Sequence, residues 1–147
     1  MSIKSYISGL GFNVPDTIMN NEDLSKFMDT SDEWIYERSG IKERRVVEHH
    51  ETNGVGPCDL AIPAVQDALK MANLKKEDID FILFSTAMPD HFLPGSGCFL
   101  QEKMDFPLIG ALDIRAQCAG FIYGLSVADQ YVKSGTYNNV LLVCSEV

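Results

Sequence analysis

No apolar run in this sequence approaches the ~20 residues that a membrane span needs. The longest, Phe81-Ile-Leu-Phe84 and Val140-Leu-Leu-Val-Cys144, are strand-sized. The opening residues, Met1-Ser-Ile-Lys-Ser-Tyr6, lack the basic-then-apolar layout of a secretory signal, so a soluble, cytoplasmic protein is expected. Positive charge is scarce: 12 Lys and Arg stand against 21 Asp and Glu, a formal net charge of −9. That balance excludes a generic binder of nucleic acid or of an anionic membrane surface. The four cysteines, Cys58, Cys98, Cys118 and Cys144, form no C-x-x-C pair and no Cys/His cluster at zinc spacing. Neither a metal centre nor a disulfide framework is expected. Internal repeats, low-complexity tracts and Gly/Ser/Pro linkers are also missing.

What remains is ordinary globular composition, with 147 residues of which 46% are apolar and 22% charged. The length predicts one domain. Ile3 to Leu10 reads as a strand ending in Gly9-Leu-Gly11. Asn20 or Asn21 caps a short helix carrying Leu24, Phe27 and Met28, and Thr30-Ser-Asp-Glu33 has the pattern of a capping box for a second helix stopped by Gly40. Ile41 to Val47 looks extended. Asp59 opens a longer helix with Ile62, Val65, Leu69 and Ala72 on one face and Pro63 in or just behind its first turn. Phe81 to Phe84 reads as a strand buried on both sides. After a turn-rich loop, Met88 to Gly97, come a short helix around Phe99 to Met104 and a strand from Leu108 to Ile114. Phe121, Leu125, Ala128 and Val132 mark a helix ended by Gly135, and Val140 to Cys144 a final strand. Strands alternating with helices predict an α/β fold with a mixed, largely parallel sheet and helices on both faces.

Two stretches could carry chemistry. In Asp113-Ile-Arg-Ala-Gln-Cys-Ala-Gly-Phe121 a buried strand delivers Cys118 through a tight turn to the first turn of a long helix. Unpaired N–H groups and the helix dipole there favour thiolate and can stabilise an oxyanion. Position alone leaves two readings, a nucleophile and a packed structural cysteine. In Thr30-Ser-Asp-Glu-Trp-Ile-Tyr-Glu-Arg-Ser-Gly40, Trp34 and Arg38 lie four apart and share a helix face. An indole beside a guanidinium suits a flat base next to a phosphate, and equally a buried Trp with a surface Arg. Lys42, Arg44 and Arg45 add a basic cluster expected to be a solvated strand edge.

Taken together, the run Thr30-Ser-Asp-Glu-Trp-Ile…Arg38…Gly40-Ile-Lys-Glu-Arg-Arg45 and the run Cys118-Ala-Gly-Phe…Leu125-Ser-Val-Ala-Asp-Gln-Tyr-Val-Lys-Ser-Gly135 closely resemble the β-ketoacyl-acyl-carrier-protein synthase III family. These are condensing enzymes of the thiolase-like fold. The resemblance runs through the whole chain, from Gly9-Leu-Gly11 to Ser145-Glu146. It implies that Cys118 is acylated by an acyl-CoA and that malonyl-acyl-carrier protein, on losing carbon dioxide, attacks the acyl-cysteine. It also implies that Trp34 and Arg38 hold the CoA adenine with Thr30 beside it, and that the cysteine N–H is an oxyanion donor. Acyl-CoA enters as a substrate and no cofactor is implied; a homodimer is.

The departures carry information. Many members have two alanines before the cysteine, where this chain has Arg115-Ala-Gln117. The family's bulky aromatic before the proline of loop Met88–Pro94, lent across the dimer to close the acyl pocket, is here Leu93, with Phe92 beside it. Members are roughly twice as long, and their catalytic His and Asn come from a second half. His49, His50 and His91 lie in the wrong context to replace that His and are expected to be loop residues. The chain therefore reads as the N-terminal half of a synthase, inactive alone, with the basic patch that docks an acidic carrier protein on the other half. The alternatives are a related long-chain or hydroxymethylglutaryl-CoA synthase-like condensing enzyme, and a non-catalytic half-length CoA-binding module. A thiol redox protein would lack a resolving cysteine near Cys118.

Overall fold

The computed structural model describes residues 3–47 and 55–147. Residues 14–54 form one compact unit and the remainder another. The smaller unit is organised by its own polar centre, described below, and not by the sheet core of the larger.

The larger unit is built on three parallel strands. Strand β3 (Phe81–Ser85) lies between β4 (Gly110–Ile114) and β5 (Val140–Cys144), with Leu83 level with Leu112 and Leu142. All five β3 residues are buried, which is what its unbroken apolar run requires of a central strand. The two-residue period then divides the side chains. Ile82 and Phe84, with Leu141 and Val143, face the helices α3 (Pro57–Ala72) and α4 (Ser96–Lys103), which supply Ala61, Val65, Leu69 and Leu100. On the other face lies α5 (Gly120–Lys133), where Gly120 meets Ser85, Gly124 meets Leu142, and Tyr131 sets its ring edge-on to Phe81 at 5.1 Å. Helices thus cover both faces of a parallel sheet, as the α/β pattern predicts. Ile82, Leu83, Phe84 and Leu100 are wholly buried, each contributing about 1.5–3 kcal/mol by removal from water.

Several boundaries differ from expectation. Helix α3 starts at Pro57, two residues before Asp59; Pro57 needs no N–H there, and the Asp59 carboxylate accepts the Gly56 N–H at 3.0 Å. Pro63 therefore sits in the second turn. Helix α4 starts at Ser96, three residues before Phe99, because its cap comes from a distant strand. Ile3 to Leu10 forms no strand: this segment runs along the small-residue stripe of α3, with Gly9 against Ala68 and Ala72 and Gly11 against Ala64. Asn13 Nδ2 donates to the Leu60 carbonyl at 2.8 Å and the Ser5 hydroxyl bonds Asp129, so these contacts take the place of a ladder.

In the smaller unit β1 (Ile18–Asn20) pairs antiparallel with β2 (Glu43–Arg45). Asn20 caps α1 (Asn21–Ser25) in a reciprocal box with Asp23. Helix α1 stops before Phe27 and Met28, which are exposed. Helix α2 (Asp32–Ser39) is capped by Ser31, not Thr30: the extended Ser31 accepts the Trp34 N–H at 3.1 Å, so Glu33 falls one position short of closing a box. Gly40 ends it at φ 70°. Asn21 is the hub, 1% exposed. Its amide donates to Asp32 at 2.7 Å and to the Ile41 carbonyl at 2.8 Å, and its oxygen accepts from Arg44. Arg44 also reaches the Met19 carbonyl, and Arg45 those of Pro15 and Asp16. The basic cluster is thus partly structural rather than a solvated edge, because these guanidiniums satisfy main-chain acceptors. His49 and His50 lie outside the described residues.

Candidate active site

Cys118 is exposed, in a short 3-10 turn, Gln117–Ala119, that joins β4 to α5. It stands just ahead of α5 rather than in its first turn. The first bond of the turn runs from the Ala119 N–H to the Ala116 carbonyl at 3.0 Å. The N–H groups of Gln117 and Cys118 stand ahead of it, as at any helix start. Gln117 has φ 45°, a left-handed conformation that costs a non-glycine residue about 1–3 kcal/mol. That bend turns the chain sharply between strand and helix and leaves the thiol outward. Gly120 then lets the head of α5 approach β3: a Cβ there would lie 1.9 Å from Ser85 Oγ.

The other thiols differ. Cys58 is fully buried and its Sγ donates to the Ser96 carbonyl at 3.1 Å; burial, then Asp90, pushes its thiol far up. Burial also raises Cys144, against a hydrogen bond from Ser85 that lowers it, with Glu146 adding to the rise. Among the described residues, no group of three or more His, Cys, Asp or Glu side chains is arranged to hold a metal ion.

The loop after β3 is held by carboxylates that no local motif announces. Glu146 accepts from the Ala87 N–H at 2.6 Å and the Thr86 hydroxyl at 3.0 Å. Asp90 accepts from the Cys58 N–H at 3.3 Å, at the head of α3, and from the Ser96 hydroxyl at 3.1 Å. Asp113 on β4 accepts the Ser96 and Gly97 N–H groups at 2.6 and 2.9 Å. Between these ties the tip projects: Phe92 is 82% and Leu93 88% exposed. Arg115, three residues before Cys118, places its guanidinium 4.9 Å from the Phe92 ring centroid, so the tip and the cysteine turn are neighbours. His91 is an exposed loop residue, its ring 4.6 Å from that of Phe99.

In the smaller unit the Arg38 guanidinium lies 4.4 Å from the Trp34 ring centroid and donates to the Trp34 carbonyl at 3.4 Å. The pair stacks as the spacing predicts, on an exposed face. Thr30 Oγ1 is buried with no hydrogen-bond partner among the described residues.

An outward thiol lies between the end of a parallel strand and the head of a helix, in an α/β unit that shares the thiolase-like fold of solved condensing enzymes. Residues 112–147 match the 3-oxoacyl-acyl-carrier-protein synthase III family. The chain is 45% identical, over 139 residues, to a β-ketoacyl-acyl-carrier-protein synthase III of Vibrio parahaemolyticus, covering 95% of this chain and 43% of that protein. A 3-oxoacyl-acyl-carrier-protein synthase III of Aquifex aeolicus superposes with TM-score 0.87 at 40% identity, over 94% of this chain and 43% of that one. The priming β-ketosynthase of a polyketide biosynthetic pathway gives TM-score 0.87 at 28% identity, over 98% and 42%. The chain is a relative of the β-ketoacyl-acyl-carrier-protein synthase III family and spans about two fifths of the length of the proteins it matches.

Proposed function

We propose that these residues are the N-terminal half of a β-ketoacyl-acyl-carrier-protein synthase III, which condenses an acyl-CoA primer with malonyl-acyl-carrier protein in fatty acid biosynthesis. The observation that carries this reading is the outward Cys118 thiol at the β4–α5 junction, within a stretch matched to the family. The Cys118 thiolate attacks the thioester carbonyl of acyl-CoA and forms a carbon–sulfur bond. The Cys118 N–H faces the oxyanion, which collapses by expelling CoA as its thiolate, and that thiolate takes up a proton. Malonyl-acyl-carrier protein then loses its carboxylate as carbon dioxide. The freed electron pair becomes an enolate, whose carbon attacks the acyl-cysteine carbonyl and expels the Cys118 thiolate. The product is a 3-oxoacyl-carrier protein.

Trp34 and Arg38 hold the adenine of CoA, with Thr30 beside them. A base sandwiched between two planes separates them by about 7 Å, so Arg38 swings off the indole to admit it. Phe92 and Leu93 border the acyl group. The His and Asn that stabilise the enolate belong to the other half, as does the basic surface for the carrier protein. No cofactor takes part; the protein acts as a cytoplasmic homodimer.

The test is the order of release from the full-length enzyme. Acyl-CoA alone should yield one equivalent of CoA per site, and later addition of malonyl-carrier protein should yield carbon dioxide. CoA bound without release would mark a binding module instead. A strong preference for long acyl groups would place the protein among long-chain condensing enzymes.

A further inference from the structure

We infer that Ser85 is a positioning residue of the nucleophile: it ends the central strand, and both ends of the cysteine turn rest on it. The inference rests on the reading of Cys118 as the residue that is acylated. Ser85 places a hydroxyl at the end of an otherwise apolar buried run, Phe81-Ile-Leu-Phe84, and is itself 4% exposed. Its neighbours hold it on either side. Ile114 of β4 and Cys144 of β5 are level with it in the sheet, and its carbonyl accepts the Ser145 N–H at 3.2 Å. The Cys144 thiol shares a hydrogen bond with the Ser85 hydroxyl, so the buried oxygen is not left unpaired.

The chain from Ile114 to Gly120 is an arch that carries Cys118 outward. Its first foot is Ile114, the register partner of Ser85, whose carbonyl accepts the Thr86 N–H at 3.2 Å. Its second foot is Gly120, the first residue of α5. A Cβ at Gly120 would lie 1.9 Å from Ser85 Oγ and 3.1 Å from Ser85 Cβ, so the hydroxyl fills the place where a side chain at 120 would begin. Gly120 has φ −56°, and its smallness therefore serves this approach rather than a backbone conformation. Between its feet the arch is braced. The Ala119 N–H donates to the Ala116 carbonyl at 3.0 Å, the Gly120 N–H donates to that of Gln117, and Gln117 is left-handed at φ 45°. With the first foot fixed in the ladder, the height of the second is set by the oxygen beneath it. Removing that oxygen lets the head of α5 settle towards β3 and tilts Cys118, with its N–H, out of line with the thioester carbonyl.

The test uses the full-length enzyme with Ser85→Ala, Gly120→Ala and the double variant. Acetyl-CoA and decanoyl-CoA serve as acyl donors, and iodoacetamide as a thiol probe that needs no oxyanion donor. Ser85→Ala should lower the maximal rate of acyl-enzyme formation about tenfold and leave KM for the acyl-CoA within about twofold. Alkylation of Cys118 should slow by less than about threefold, because the thiol stays exposed. In the Gly120→Ala background the same change should instead raise the acylation rate, since the added methyl takes the place of the hydroxyl. A Ser85→Ala rate within twofold of wild type, or losses that multiply in the double variant, would make Ser85 an ordinary strand residue and overturn the assignment. Alkylation that falls as far as acylation would show a loosened fold rather than a displaced nucleophile, and would overturn it too. A wild-type Cys118 that is alkylated by iodoacetamide but acylated by neither donor would refute the reading of the site itself, and this assignment with it.

Discussion

Gly120→Ala should damage the cysteine turn more than any other single-methyl addition to α5. The new Cβ would lie 1.9 Å from Ser85 Oγ and 3.1 Å from Ser85 Cβ, the former short of ordinary contact by about 1.5 Å or more. Gly120 has φ −56° and ψ −41°, so alanine meets no backbone penalty and the whole effect is steric. Ser85 is 4% exposed on the central strand and cannot retreat. Rotating its hydroxyl away still leaves the 3.1 Å approach. Overpacking of this kind costs about 1–3 kcal/mol, against a helix-propensity gain of at most about 1 kcal/mol. A net loss near 1–2 kcal/mol follows, taken up by recession of the head of α5. Cys118 is two residues away, and a misplacement near 1 Å can cost about a hundredfold in rate. Gly124→Ala is the control. Its Cβ would meet Leu142 Cδ1 at 2.4 Å, the free end of a side chain that can rotate. It should stay within about 1 kcal/mol of wild type and acylate normally. Urea unfolding and the rate of acyl-enzyme formation, both in the full-length enzyme, read the two effects. Ser85→Ala added to Gly120→Ala should recover part of each. Equal behaviour of the two glycine variants, or no recovery, would refute the steric account.

Trp34→Ala or Arg38→Ala should raise the acyl-CoA requirement by about 1–3 kcal/mol and spare the step with malonyl-carrier protein. CoA should also change the fluorescence of Trp34 as Arg38 leaves its ring, a change missing from a Trp34→Phe enzyme. Alkylation at pH 8 should modify exposed Cys118 well before Cys58. Burial and Asp90 raise the Cys58 thiol in the fold. The folded thiol keeps its proton where the unfolded one has lost it, so stability is full below the thiol's unfolded value and falls as pH rises from there towards the raised one, and Cys58→Ala should flatten the alkaline limb of the stability profile. Purified 1–147 should release no carbon dioxide from malonyl-carrier protein and should self-associate, because Tyr6, Phe12, Leu108 and Ile122 are exposed apolar side chains. Monomeric, decarboxylating 1–147 would contradict the two-half reading.

The fold was legible where sequence pattern is local. The unbroken apolar run 81–84 marks a central strand, the three- and four-residue spacing from Phe121 to Val132 a helix, and Gly40 and Gly135 the stops, both at positive φ. It was illegible where the determinant is distant. Helix α4 begins three residues early because Asp113 supplies its cap from another strand, which no window around Ser96 contains. Ile3 to Leu10 has a strand's composition, but Gly9 and Gly11 fit it against the alanines of α3. The site divides the same way. The Trp34–Arg38 stack follows from helical spacing and the seat of Cys118 from strand–turn–helix order. The left-handed Gln117 and the carboxylates of Asp90, Asp113 and Glu146 carry no local signature. Asn21 reads in the sequence only as a cap candidate, yet it ties Asp32, Ile41 and Arg44 together.

The most direct test locates the acyl group. Full-length enzyme is quenched after exposure to acetyl-CoA alone, digested, and mapped by mass spectrometry beside Cys118→Ser. The account predicts one acetyl group, on the peptide containing Cys118, and none on the variant. Acetyl found on Cys58, Cys98 or Cys144, or retained by Cys118→Ser, would contradict it.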